Sequence, residues 1–174
     1  MINERLVGKW IQTVKEVNVT PHMPTHDEAL LSLRVTLEEL FEQAESFGAD
    51  FLTEFADVVI LAANKQKEKA QNPEKLNTGM VALRDAIADT FVTACNMPTY
   101  AGLLDTTETD FNEVMRSNFT KFCTNETDAG LSVEKYAKEG REVIYKKQWE
   151  YYVILDANTG KILKGIHYED PSLV

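Results

Sequence analysis

Along the first half of the chain, apolar residues recur at intervals of three and four, the spacing that gathers side chains on one face of an α-helix. Between residues 4 and 17 they fall at Leu6, Val7, Trp10, Ile11 and Val14, which predicts an amphipathic helix ending before a Pro21 to Pro24 loop. From Asp27, a side chain suited to an N-cap, they run through Leu30, Leu33, Leu37, Leu40, Phe41, Ala44 and Phe47, and Gly48 supplies a stop. A third run, over about 50 to 64, is apolar enough for a buried helix. It passes into KQKEKAQNPEKLNTG at 65 to 79, whose charges and breakers read as a loop. Residues 80 to 95 keep helical spacing at Met80, Leu83, Ile87, Phe91 and Cys95. Val81, Ala88 and Val92 fill the other faces, so this helix is expected at the centre of the fold.

Beyond Pro98 and Gly102, a further helix is predicted over about 107 to 122 from Phe111, Val114, Met115, Asn118 and Phe122. The pattern then changes. From Glu142 the chain turns β-like in VIYKKQWEYYVIL, and DANTG separates that run from KILKG, the signal of a small C-terminal β-hairpin. No internal repeat, low-complexity tract or interdomain linker interrupts this order. The expectation is an all-α fold of four to five helices with a small C-terminal β-hairpin. It is read as a single domain over 1–174, with a helical core at about 1–122 and an extension at about 123–174.

Length and charge narrow the function classes. A chain of 174 residues with 44% hydrophobic content builds one core of ordinary domain size. The 28 acidic against 18 basic residues give a net charge of -10, which repels a phosphate backbone and argues against nucleic acid as a partner. A small phosphorylated ligand remains compatible, because divalent cations held by carboxylates reverse the local charge. Cys95 and Cys123 have neither CxxC spacing nor a neighbouring His, and read as buried or free thiols rather than a disulfide. Charges interrupt every apolar run of MINERLVGKWIQ, and no run reaches membrane-spanning length, so a cytoplasmic protein without a membrane partner is expected.

The chemistry-bearing residues are acidic. LEELFEQAE holds Glu38, Glu39, Glu42 and Glu45 within about two helical turns. Like charges three and four apart destabilise an isolated helix, so a compensating partner is expected. LRDAIADTF places Asp85 and Asp89 one turn apart among Ala82, Ala86, Ala88 and Val92, where a carboxylate is costly unless paired or bound to a metal. If the two helices pack antiparallel, the clusters face one another across a bundle core. A donor set of carboxylate oxygens, without His or Cys, suits Mg²⁺, or Mn²⁺ in its place, and not zinc. The plainer reading of the same spacing is a solvated acidic face.

EExxE on one helix, followed by a helix with a second acidic pair, resembles the signature of the MazG-like, all-α nucleoside triphosphate pyrophosphohydrolases. The residues are Glu38-Glu39-Leu40-Phe41-Glu42 and Asp85-Ala86-Ile87-Ala88-Asp89. Glu39, Glu42 and Asp89 match that family's metal ligands position by position. Ala86 stands where its motif glutamate would be, with Asp85 one residue earlier as the substitute. VMRSNFTKF at 114 to 122 and TGKILKG at 159 to 165 look like the SNxxK and GKxxK segments of the phosphoribosyl-ATP pyrophosphohydrolase-like branch, so the resemblance touches residues 34 to 170.

The resemblance implies a MazG-like bundle and Mg²⁺-dependent cleavage between the α- and β-phosphates of a nucleoside triphosphate or phosphoribosyl-ATP-like nucleotide. The products are a monophosphate and pyrophosphate. It implies Glu38, Glu39, Glu42, Asp85 and Asp89 as metal ligands, with Glu38 or Glu42 as a catalytic base. Asn118, Lys121, Lys161 and Lys164 become substrate contacts, and the assembly is expected to be a homodimer or tetramer. Exposed lysines beside a hairpin are otherwise solubilising. Arg34, one turn before the acidic motif, reads as its ion-pair partner. Trp10 and Phe41 read as core, and His22, His26 and His167 carry no ligand spacing. The competing reading is a non-catalytic helical interaction or nucleotide-sensing protein of the same fold.

Overall fold

The computed structural model describes residues 4–14 and 20–173. These residues form seven α-helices followed by a small antiparallel sheet, so the chain is predominantly helical with a β C-terminus. They divide into two compact units, a helical unit over Thr20–Thr93 and a sheet unit formed by Met1–Val19 together with Ala94–Val174. The helix predicted at 107 to 122 belongs with the sheet and not with the acidic helices.

The helical unit holds α2 (His26–Glu45), α3 (Ala49–Ala70), a 3₁₀ turn at Pro73–Lys75 and α4 (Met80–Ala94), whose last residue falls in the other unit. The N-cap of α2 is Thr25 and not Asp27. Its hydroxyl accepts from the Glu28 amide at 3.3 Å while the Glu28 carboxylate accepts from the Thr25 amide at 3.0 Å, a complete capping box. Asp27 sits in the first turn instead, where its charge favours the helix N-terminus. Gly48 stops α2 as expected; its φ of +100° is a conformation other residues rarely adopt, and it also starts α3. α3 packs back on α2 through Phe41 and Phe55, whose rings meet edge to face at 5.2 Å. α3 runs on to Ala70, so residues 65 to 70 are helix and not loop. Their Lys and Glu residues are good helix formers, and the breakers Asn72 and Pro73 come later. α4 is not central: none of its residues is buried, and Val81 is 81% and Val92 68% exposed.

The sheet unit holds α1 (Glu4–Val14), α5 (Asn96–Ala101), α6 (Leu104–Thr120), α7 (Glu126–Lys138), β1 (Val143–Gln148), β2 (Tyr151–Asp156) and β3 (Ile162–Leu163). The predicted last turn of the first helix, at 15 to 17, lies outside the described residues. The predicted hairpin is a three-stranded sheet in the order β1-β2-β3, because VIYKKQWEYYVIL breaks into two strands at Trp149 and Glu150. The DANTG turn joins β2 to β3 as read. Asp156 accepts from the Asn158 and Thr159 amides at 3.1 and 3.0 Å, and these bonds, with Arg141, hold its carboxyl below the usual range.

The core of this unit forms where α7 covers the sheet: Ala129 and Tyr136 close on Val143, Ile154 and Leu163, with the buried Cys123. The neighbouring residues Val153 and Ile154 are both buried, so β2 is covered on both faces. On the face of Tyr151, Phe122 lies 5.6 Å from the Tyr151 ring and stacks on Trp10 of α1 at 5.8 Å. The Trp10 indole N–H donates to the Asn118 carbonyl, which makes Trp10 a packing residue as expected.

Candidate functional site

The acidic residues lie on α2 and α4 of the helical unit, and all are exposed. Glu38 is engaged by Arg34, Nε to Oε1 at 2.9 Å, the expected one-turn ion pair. Glu39, Glu42, Asp85 and Asp89 make no side-chain hydrogen bond or ion pair with another described residue. Among the described residues the four like charges of this cluster on α2, Glu38, Glu39, Glu42 and Glu45, therefore have only Arg34 to offset them. Among the described residues no three His, Cys, Asp or Glu side chains are placed to hold one ion. The donor chemistry suits a hard divalent cation, but a single chain does not gather it: α2 packs on α3, and α4 approaches α2 only near its N-terminal half. There a groove is lined by Ala29, Ser32 and Leu33 on one side and by Met80, Leu83 and Ile87 on the other.

These helices also leave large apolar side chains open. Leu33 is 70% and Leu61 71% exposed, Phe91 and Ile60 more than half exposed, and Ala44 is the one buried residue of α2, α3 and α4. At about 1.5 to 3 kcal/mol for each such side chain moved from water to an apolar contact, this surface is a large unsatisfied driving force for association.

The four expected substrate contacts lie in the sheet unit, where the fold brings three of them together. Asn118 and Lys121 close α6, and the Lys121 ammonium donates to the Asn118 carboxamide oxygen at 2.7 Å. The Gly165 amide donates to the Lys121 carbonyl at 2.9 Å, which sets Lys164 beside the end of α6. The Lys164 ammonium lies 3.9 Å over the Tyr168 ring and 3.3 Å from Asp170. Partial burial pulls its pKa down, but Asp170 and Tyr168 outweigh that and hold it above the ordinary lysine value. Lys161, exposed at the head of β3, stands apart across the strand.

The tail after Lys164 is tied to α6. Ser117, buried, donates to the Glu169 carbonyl at 2.8 Å, and Arg116 bonds Glu113 through Nε and one terminal nitrogen, each at 2.8 Å, and Glu169 through the other at 2.6 Å. Cys95 is exposed and Cys123 buried, both as free thiols. His167 lies 3.4 Å from Asp128, and His22 and His26 are exposed in or beside the proline loop.

One residue of chemical interest escapes a sequence reading. Trp149 is 79% exposed at the β1–β2 turn and borders a cleft against α1. The only signal for it is indirect: a run of thirteen β-like residues is too long for an ordinary strand of about five or six, yet it contains no Gly, Asn or Pro to mark the break.

Fold and placement together define a predominantly helical chain that carries an acidic helical unit and a lysine-bearing, sheet-containing unit. No family model, characterised protein or solved structure matches it. Among the described residues no helix is long and apolar enough to cross a membrane.

Proposed function

We propose that this chain is a Mg²⁺-dependent nucleotide pyrophosphohydrolase of the MazG-like type, phosphoribosyl-ATP pyrophosphohydrolase-like branch, active in the cytoplasm as a homodimer or tetramer. The observation that carries this reading is the coincidence of two unmet demands on the same helices. Among the described residues Glu39, Glu42, Asp85 and Asp89 have no hydrogen-bond or ion-pair partner and are not gathered into a cation site, and the apolar residues around them are exposed. A second copy of the chain covers the apolar faces, and divalent cations neutralise the carboxylates.

Glu39, Glu42 and Asp89, with Glu38 and Asp85, are the residues that would hold Mg²⁺. Bound there, the ion supplies charge neutralisation of phosphate oxygens and a water of lowered pKa. Glu38 or Glu42 orients the attacking water as a base; release of Glu38 from Arg34 accompanies that role. Asn118, Lys121 and Lys164, gathered at the end of α6, with Lys161, supply the hydrogen bonds and positive charge for the phosphates. The groups cleaved are the α- and β-phosphates of a nucleoside triphosphate or phosphoribosyl-ATP-like nucleotide.

The exposure of the same carboxylates supports a second reading, a non-catalytic helical interaction protein whose acidic clusters are only surface. A pyrophosphate-release assay over nucleotides with Mg²⁺ and with Mn²⁺ separates the two. Release that Glu39→Ala and Asp89→Ala each reduce by at least about a hundredfold supports the enzyme. Absence of release from every nucleotide, with Mg²⁺ affinity by calorimetry unchanged in both variants, rejects it.

A further inference from the structure

We propose that the cleft between α1 and the β1–β2 turn binds a planar, uncharged heteroaromatic ring of the nucleobase class, with the Trp149 indole as its stacking surface. The cleft has a volume of about 580 Å³ and is lined by Lys9, Gln12, Thr13, Trp149, Glu150 and Tyr151. That is room for a nucleoside, within the usual span of small-molecule sites of about 300 to 1,000 Å³. All six residues belong to the sheet unit, and the proposal does not rest on the acidic helices or on a metal.

The turn itself carries the argument. Gln148 pairs with Tyr151, so Trp149 and Glu150 form a two-residue hairpin loop. Trp149 has a φ of +57° and is the one described non-glycine residue with positive φ, the backbone pattern of a type II′ turn. Glycine is the favoured residue at that position. The chain instead places its bulkiest side chain there, in a left-handed conformation, and leaves the residue 79% exposed with no ring contact or hydrogen bond to another described residue. Packing within the described residues accounts for neither cost. Strain and exposure combined in one aromatic residue at the lip of a cleft mark a contact surface.

The other walls set the ligand's chemistry. Lys9 and Glu150 stand 4.0 Å apart, so among the described lining residues the two charges offset one another, which suits an uncharged ligand. The half-buried Gln12 amide offers both donor and acceptor, and the Tyr151 hydroxyl, whose proton is bonded to Glu150, offers a further acceptor, the complement of a ring with a hydrogen-bonding edge. The Thr13 hydroxyl already donates to the Lys9 carbonyl at 3.0 Å and only shapes the wall. The Tyr151 ring is backed by Phe119 and Phe122, which fixes the side of the cleft opposite solvent.

The test is a titration of the full chain, without divalent cation, with adenosine, guanosine, cytidine and thymidine, followed by the indole and carboxamide N–H signals in ¹H–¹⁵N spectra. At least one nucleoside should give a saturable shift of the Trp149 indole and the Gln12 carboxamide, leaving the buried-side Trp10 indole unmoved. Trp149→Gly relieves the turn, so its melting temperature should equal or exceed that of the parent, while affinity falls by at least about fivefold, the lower end of a base–aromatic stack. The proposal is overturned by no saturable shift with any of the four, by undiminished binding in Trp149→Gly, or by a lowered melting temperature in that variant.

Discussion

The amide of Gly165 donates to the carbonyl of Lys121 across 2.9 Å, and this bond joins the two lysine-bearing segments that lie 44 positions apart in the chain. It continues the side of β2 on which β3 pairs: Cys123 bridges to Tyr152 there, and Gly165 follows β3 back to the end of α6. The approach is close because residue 165 has no side chain. A Cβ there would lie 2.8 Å from the Cys123 sulfur and 3.0 Å from the Lys121 oxygen, and both atoms are held, one buried and one backbone. Gly165→Ala is therefore expected to destabilise the sheet unit by about 1 to 3 kcal/mol, the usual cost of overpacking. Urea denaturation of the parent and the variant measures it. Adding Cys123→Ala should recover only part of the loss, since the Lys121 oxygen stays in place.

Glu113 gives a pH dependence. Its carboxylate accepts from Arg116 and from the Ser172 amide at 2.8 Å, and these bonds, Arg116 first, hold its pKa at about 2 against an ordinary 4.5. A carboxyl whose folded pKa is depressed adds stability above the unfolded value, and that stability is lost as pH falls through the folded one. The advantage of the parent over Glu113→Gln in melting temperature should thus be constant near neutrality and close between pH 4.5 and 2. Arg116, pushed above its usual value by Glu113 and Glu169, stays charged throughout and does not blur the window. An advantage that persists unchanged at the acid end would rule out this pairing as its source.

The capping box at Thr25 predicts a local effect. Thr25→Ala removes the acceptor for the Glu28 amide, an exposed bond with no packing role, so the expected loss is about 1 kcal/mol. Glu28→Gln keeps the reciprocal bond and should lose less. Thermal unfolding followed by circular dichroism distinguishes the three chains.

What the sequence made legible follows from which signals were strong. The helices at α1, α2, α3, α4 and α6 were visible because large apolar residues mark their faces, as Leu30, Leu33, Leu37 and Leu40 do for α2. α7 was not, because the face it buries is made of Ala129, Ser132 and Tyr136, too small or too polar for a hydrophobic period to register. The short α5 carries Pro98 and stops at Gly102, signals that read as a break. The expected N-cap missed by two residues, since Thr25 and Asp27 are both good caps and only the Glu28 bond selects Thr25. The two acidic pairs were legible as residues, but their convergence was not. Spacing places Glu39 beside Glu42 on α2, whereas the approach of α4 depends on packing that one chain leaves open. A continuous apolar helix such as α4 reads as central, and surface against an absent neighbour gives the same pattern.

That open surface makes the last prediction. Leu61 and Val92 are 71% and 68% exposed, and an exposed apolar residue replaced by Asp ordinarily changes the stability of a lone chain by no more than about 0.5 kcal/mol. In a homodimer or tetramer built on the helical unit, the same change buries an unpaired carboxylate and breaks the assembly. Sedimentation at micromolar concentration should find the parent as a dimer or tetramer, and Leu61→Asp or Val92→Asp shifted toward the monomer with loss of helix content. A parent that sediments as a monomer and melts cooperatively would end the idea. If the assembled site also draws Lys164 and Glu39 from different copies, mixing Lys164→Ala with Glu39→Ala chains restores part of the pyrophosphate release that each lacks alone. Release that stays at the level of the separate variants rejects sharing of the site between copies.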